Sequence, residues 1–218
     1  MVNADMLWPL YAIAEAISVI IAYITNPIVV LFADEYGNLP DCLRWWGTFD
    51  NTLDVRWMIT ENKVPKIFQY DYDKRYIYHY EDKGNGYVIP GYVEIIDPNF
   101  TTKEKIQRYF CRLAWLYRNT AYGFSYEVLG KRIFPKNILV VRNYNYGEYD
   151  NCTESLDAST GFINRVWKLH YYKQWCKYFY LRVYIGWKIT SDTKTNPNES
   201  DVAMLACYIW PFRLVKNK

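Results

Sequence analysis

The chain has 218 residues, enough for one sizeable core or one domain with an appendage. Lys and Arg total 26 against 23 Asp and Glu. Both signs are interspersed after Asp34, which argues against a nucleic-acid partner, since that needs a clustered basic face. Aromatic residues make up 19% of the chain, with 23 Tyr. That composition suits an aromatic β-rich core first and a membrane interface second.

Leu7 to Ala33 (LWPLYAIAEAISVIIAYITNPIVVLFA) carries one charge, Glu15, and residues 16–33 carry none. At about 1.5 Å per residue the segment reaches roughly 40 Å, against a hydrocarbon core of ~30 Å. The leading MVNAD has no cation, so a cleaved signal peptide is not expected. Pro9 stands where a helix start tolerates proline. Pro27, after Asn26, is expected to kink or end the helix. Three placements stay open. A helix spanning the bilayer is preferred on length and charge. A helix from Pro9 to about Thr25 with a short element in the interface is the second, and a buried helix of a soluble core is the third. Trp8 and Tyr11 near one end and Phe32 and Tyr36 near the other resemble interface anchors. Every Lys and Arg follows this segment, beginning with Arg44, so the positive-inside rule places the rest of the chain in the cytoplasm.

Asp34 to Pro40 reads as a polar exit turn. In LRWW, Arg44 with Trp45 and Trp46 suits the headgroup zone, or else forms an aromatic plug on the core. Alternation predicts strands over 67–81 and 87–96, joined through Lys83-Gly84-Asn85-Gly86. Thr101 and Glu104 form a capping box opening a helix to Tyr117, with Ile106, Tyr109, Phe110, Leu113, Leu116 and Tyr117 as its apolar stripe. Residues 137–142 read as a strand and 143–160 as a loop. Strands follow around 162–170 and 177–189, then a solvated loop over 191–201 and a last strand over 202–214. The fold class is α+β: an apolar N-terminal helix, transmembrane or interfacial, then an aromatic-rich antiparallel β domain with one amphipathic helix. The division predicted is an anchor at 1–36 and a domain at 37–218.

Candidate chemistry is sparse. Asp50, Asn51 and Asp54, with Asp34, Glu35 and Asp41, are a candidate oxygen-ligand set for a divalent cation acting on lipid phosphate. Asx-turn chemistry is the preferred reading of D-N-T-L-D. Arg112, Arg118 and Asn119 at the end of the helix are candidates to pair with Asp50 or Asp54, or to hold a headgroup phosphate. His79 and His170 read as strand residues, and no cofactor or metal is expected. Five cysteines, widely spaced with no C-x-x-C pair, read as reduced and mostly buried thiols. No nucleophile-elbow, phosphate-loop or dinucleotide motif occurs.

The stretch ADEYGNLPDCLRWW with GTFDNTLD (33–54), RLAWLYRNTAYGFSYEVLG (112–130) and YLRVYIGWKI (180–189) together resemble a family of uncharacterised tailed-bacteriophage membrane proteins. Thr120 and Val55 depart from the proline and glycine of that pattern. The resemblance implies a phage source and a membrane location, and it implies no reaction; with the apolar helix and the charge asymmetry, the location expected is the host inner membrane. The function expected is a membrane-anchored accessory protein that acts by binding, with the membrane and a host membrane or envelope protein as partners. A metal-dependent enzyme on lipid or envelope substrates and a structural virion component are the alternatives.

Overall fold

The structure, a computed structural model, describes residues 4–48, 51–82, 88–133, 138–144, 154–161, 166–176, 179–188 and 201–214. It is α+β, with a long apolar N-terminal helix, antiparallel sheets and aromatic clusters. The chain folds as two compact units, Met1–Ile17 with Phe124–Lys218, and Ser18–Gly123. The long helix, α1 (Ala4–Val29), contributes to both. Residue 36, where the sequence reading ends its anchor, lies inside the second unit.

The discontinuous unit is built on a six-stranded antiparallel sheet in the order β3-β8-β7-β6-β5-β4. Its strands are β3 (Lys131–Ile133), β4 (Ile138–Tyr144), β5 (Glu154–Gly161), β6 (Val166–Gln174), β7 (Phe179–Lys188) and β8 (Asp201–Leu214). Strand β5 falls in the stretch read as loop. Its sequence, ESLDASTG, is poor in β-branched and aromatic residues, and its pairing on both sides with β4 and β6 overrides that weak propensity. Leu129, Ile133, Val166, Trp187, Ala203 and Leu205 form the core, with Trp8, Tyr11 and Ala14 of α1 packed on them. Gly186 has φ 101°, and a Cβ there would meet the Trp167 carbonyl oxygen at 2.2 Å, so this position accepts glycine alone.

In the continuous unit, α1 passes through a short turn (Val30–Phe32) and a 3-10 helix (Asp41–Trp46) to α2 (Arg56–Thr60). A hairpin of β1 (Tyr76–Asp82) and β2 (Val88–Ile95) and the helix α3 (Thr102–Arg118) follow. The first strand begins at Tyr76 rather than at 67. Lys66–Phe68 turns as a 3-10 helix, and Asp71 accepts from the Lys74 N–H at 3.3 Å, a local bond that competes with a strand ladder. Helix α3 carries the capping box as read, with the Glu104 N–H donating to Thr101 Oγ1 and the Thr101 N–H to Glu104. Its buried face is Gln107, Cys111, Arg112, Trp115 and Leu116, whereas Ile106 is exposed. The inward face is rotated because two polar side chains, Gln107 and Arg112, find partners inside.

Val29, Val30, Leu53, Met58, Tyr72, Tyr76, Trp115 and Leu116 are among the core residues of this unit. Cys111 is buried and pushed up to about 12 by desolvation, while Cys42 and Cys207 are exposed, contrary to the expectation of mostly buried thiols.

Candidate functional site

The densest polar constellation centres on Asp54, in the extended stretch before α2. Its carboxylate is fully buried. Arg108 and Arg112 stand one helical turn apart on α3, so both project from one face of it. Arg112 donates through Nε to Oδ1 at 2.9 Å and through Nη2 to Oδ2 at 2.6 Å. Arg108 donates through Nε to Oδ1 at 3.1 Å and through Nη2 to Oδ2 at 2.6 Å. The Tyr76 hydroxyl adds a third donor to Oδ2 at 3.2 Å. Both guanidiniums also reach carbonyls of the exit turn, Arg112 to Asp34 at 2.9 Å and Arg108 to Glu35. Burial alone would raise the Asp54 carboxyl. The hydrogen bonds and charge of Arg112 and then Arg108 outweigh it and hold the group below its ordinary value. A carboxylate offers about four lone-pair directions, and five donors already converge here, so Asp54 has nothing left for a cation or a substrate proton. The cluster is a clasp joining the exit turn, the Asp54 loop and α3.

A second ion network lies beside it. Arg75 binds both Glu104 oxygens at 2.8 Å and also Asp97, with its guanidinium 5.2 Å from the Phe100 ring. The Arg75 hydrogen bond, with the Thr101 bonds, lowers Glu104 to about 2. Neither Arg108 nor Arg75 was singled out from the sequence. For Arg108 the available signal was its spacing from Arg112.

The other sequence candidates separate. Arg118 lies over Trp57 at 4.7 Å, away from Asp54. Asn119 ends α3, its amide donating to the Trp115 carbonyl at 3.2 Å. Asn51 lends its backbone carbonyl to the Thr48 hydroxyl at 3.1 Å, and Asp50 lies outside the described residues. Asp34 accepts from the N–H groups of Tyr36 and Asn38, an Asx turn. His79 sits on β1 opposite Tyr92, and His170 Nε2 accepts from Arg182 Nε at 3.1 Å. Among the described residues no three His, Cys, Asp or Glu are placed to hold a metal ion.

The aromatic anchors also divide. Trp8 and Tyr11 turn inward. The Trp8 indole donates to the Gly186 carbonyl at 3.2 Å and packs on Trp167, and Tyr11 lies beneath Lys131. Trp46 is half-buried, its indole donating to Thr25 Oγ1 at 2.7 Å. Phe32, Tyr36, Arg44 and Trp45 are exposed.

The polarity of α1 is reversed from that of an ordinary surface helix. Leu10, Ile13, Ile17, Ile20, Ile21, Ile24 and Ile28 of α1, with Leu31 and Phe32 of the turn that continues it, are 46–72% exposed, while Tyr23, also exposed, lies off their arc against Tyr117. At 3.6 residues per turn they share an arc of about 120°. The opposite face carries the Glu15 carboxyl and the Asn26 carboxamide. Glu15 is buried and accepts from the Ser125 hydroxyl at 3.0 Å. Asn26 is 0% exposed, and neither its amide nitrogen nor its oxygen meets a partner among the described residues. A helix facing water would turn these groups outward and the isoleucines inward.

This helix is long and apolar enough to cross a membrane, a property it shares with signal sequences and with core helices of soluble proteins. No curated protein and no solved structure matches the chain. A family model matches residues 1–217, essentially its whole length, and the chain therefore belongs to that family of unknown function, DUF7338.

Proposed function

We propose that this protein is a membrane-surface accessory protein of a tailed phage, held at the cytoplasmic face of the host inner membrane by the outward face of α1. It acts there by binding a host membrane or envelope protein. The observation that carries the reading is the reversed polarity of α1, with isoleucines outward and Glu15 and Asn26 inward.

An in-plane helix is favoured over a spanning one. The inward side of α1 is occupied by its own protein at Trp8, Tyr11 and Glu15 in one unit and at Ala22, Asn26, Val29 and Val30 in the other. A spanning helix exposes its whole circumference to lipid or to other spanning segments. An in-plane helix needs one apolar face sunk about 5–10 Å into the headgroup boundary. Nine half-exposed apolar side chains supply on the order of 9 kcal/mol if each buries about half its area. Binding rather than catalysis is supported by the Asp54 cluster, whose oxygens are committed to Arg108, Arg112 and Tyr76. The phage source rests on the sequence resemblance.

Vesicle flotation tests the reading. The protein is expected to float with phosphatidylglycerol-containing vesicles. A triple I17S/I24S/L31S variant is expected to lose about hundredfold in partitioning, from roughly 1 kcal/mol at each site. A wild-type protein that stays at the bottom of the gradient, or that buries the stripe in a stable dimer instead, overturns the reading.

A further inference from the structure

We propose, resting on the membrane reading above, that α3 extends the apolar face of α1 and that the two-helix face so formed docks on an anionic lipid surface, with Lys66 and Lys103 on its border. All the residues involved belong to the continuous unit, Ser18–Gly123.

Helix α3 carries an apolar stripe on the side away from its core. Ile106, Phe110, Leu113 and Tyr117 are spaced four, three and four residues apart, so at about 100° per residue they share an arc of roughly 60°. Trp115, in the middle of the buried side, lies opposite. Ile106 is 54% exposed, and Phe110, Leu113 and Tyr117 are half-buried. The 3-10 turn Lys66–Phe68 widens the stripe. Gln107 Nε2 donates to the Ile67 carbonyl at 3.0 Å, and Phe68 stacks on Phe110 with ring centroids 4.2 Å apart. Ile67 itself is 72% exposed.

The stripe adjoins that of α1. Tyr117 reaches the Tyr23 carbonyl and Tyr109 the Pro27 carbonyl, so α3 runs antiparallel beside the second half of α1. Val29 of α1 and Trp115 and Leu116 of α3 share one core. Two helices lying side by side on one core turn their far sides the same way. On α1 that side is Ile20, Ile24 and Ile28, and the stacked rings of Tyr23 and Tyr117 fill the seam between the helices. A contiguous apolar face marks an interaction surface, where singly scattered apolar side chains do not.

The border of the face selects anionic lipid. Lys66 precedes Ile67, and Lys103 stands three residues before Ile106 and seven before Phe110, on the same side of α3. Both lysines are exposed, and neither forms an ion pair among the described residues. A lysine stem lies along apolar surface while its ammonium rises to the phosphates, which is how interfacial helices meet anionic headgroups. Each lysine so placed favours anionic over zwitterionic lipid by about fivefold.

Flotation of the full chain with two kinds of vesicle tests the face: phosphatidylcholine alone, and an equimolar mixture of phosphatidylcholine and phosphatidylglycerol. I67S/I106S is expected to lose about twentyfold in partitioning to both kinds, and I67L/I106L to keep it. K66Q/K103Q is expected to lose about twentyfold on the mixed vesicles and to match wild type on phosphatidylcholine. Thermal unfolding should be unchanged in all three, since these side chains are exposed; if I67S/I106S does unfold, K66Q/K103Q decides by itself. Wild-type partitioning to the mixed vesicles in either I67S/I106S or K66Q/K103Q overturns the proposal. So does a wild-type dimer that I67S/I106S abolishes, which would give the face to a second copy of the chain. A wild-type protein that floats with neither vesicle overturns the membrane reading itself. One that floats, and loses partitioning in I17S/I24S/L31S but not in I67S/I106S, overturns the α3 face alone.

Discussion

Tyr117 of α3 donates its hydroxyl to the backbone carbonyl of Tyr23, at 3.3 Å. That carbonyl is the one whose helical donor is missing, because residue 27 is proline and has no N–H. The two rings stack with centroids 5.5 Å apart. The Pro27 carbonyl in turn accepts from the Tyr109 hydroxyl at 3.0 Å. The Tyr117 hydroxyl therefore replaces the donor that proline removes, Tyr109 serves a carbonyl of the helix's last turn, and α1 continues to Val29 through a position expected to kink or end it.

The Tyr117–Pro27 relationship predicts a non-additive pair. Tyr117→Phe is expected to destabilise by about 1 kcal/mol in urea denaturation, the worth of one hydrogen bond. In a Pro27→Ala background residue 27 regains its N–H, the Tyr23 carbonyl has a helical donor, and the Tyr117→Phe effect should shrink toward zero. Equal effects in both backgrounds would show that the hydroxyl does not serve that carbonyl.

Asp54→Ala leaves two guanidiniums buried without their counter-ion. A loss of about 3–5 kcal/mol is expected, enough to unfold a marginal domain at room temperature. Arg118→Ala, which removes a contact with Trp57 and no ion pair with Asp54, should change stability by about 1 kcal/mol or less. Comparable effects from the two substitutions would contradict the clasp.

The Glu104 network sets a pH dependence. The carboxyl is lowered from 4.5 to about 2 in the folded protein, so its contribution is fully present above pH 4.5 and is lost as pH falls toward 2. The urea midpoint should decline over that window, and Glu104→Gln should flatten the decline while lowering the midpoint at neutral pH. An unchanged slope in the variant would exclude Glu104 as a source.

Gly37 has φ 81°, and a Cβ there would lie 2.8 Å from Asp54 Oδ2 and 2.9 Å from the Asp54 nitrogen. Gly37→Ala should destabilise by about 2–3 kcal/mol, from backbone strain and from pressure on the clasp. Thermal unfolding indistinguishable from wild type would mean that the exit turn has room to relax.

What could be read from residues alone was local. Thr101 and Glu104 announced α3, and Arg112 on that helix was a candidate partner for Asp50 or Asp54, the second of which it meets. The inward face of α3 was misjudged by following apolar residues, because Gln107 and Arg112 are buried through partners distant in sequence, Ile67 and Asp54. The length of α1 was legible, but its facing was not. A helix apolar nearly all round has little periodicity to read, and what orients it is Glu15 meeting Ser125, 110 positions away. Strand β5 was invisible because its pairing partners, not its own residues, make it a strand.

The discontinuity of one unit has a consequence for synthesis. Ser18–Gly123 is a continuous stretch and can close while the later chain is still in the ribosome. Trp8, Tyr11 and Glu15 leave the exit tunnel first, yet their partners Gly186, Lys131 and Ser125 come more than a hundred positions later. Strand β8, which pairs with both β3 and β7, is translated last of all the strands. Until it emerges, the oldest part of the nascent chain waits with its sheet-facing side bare.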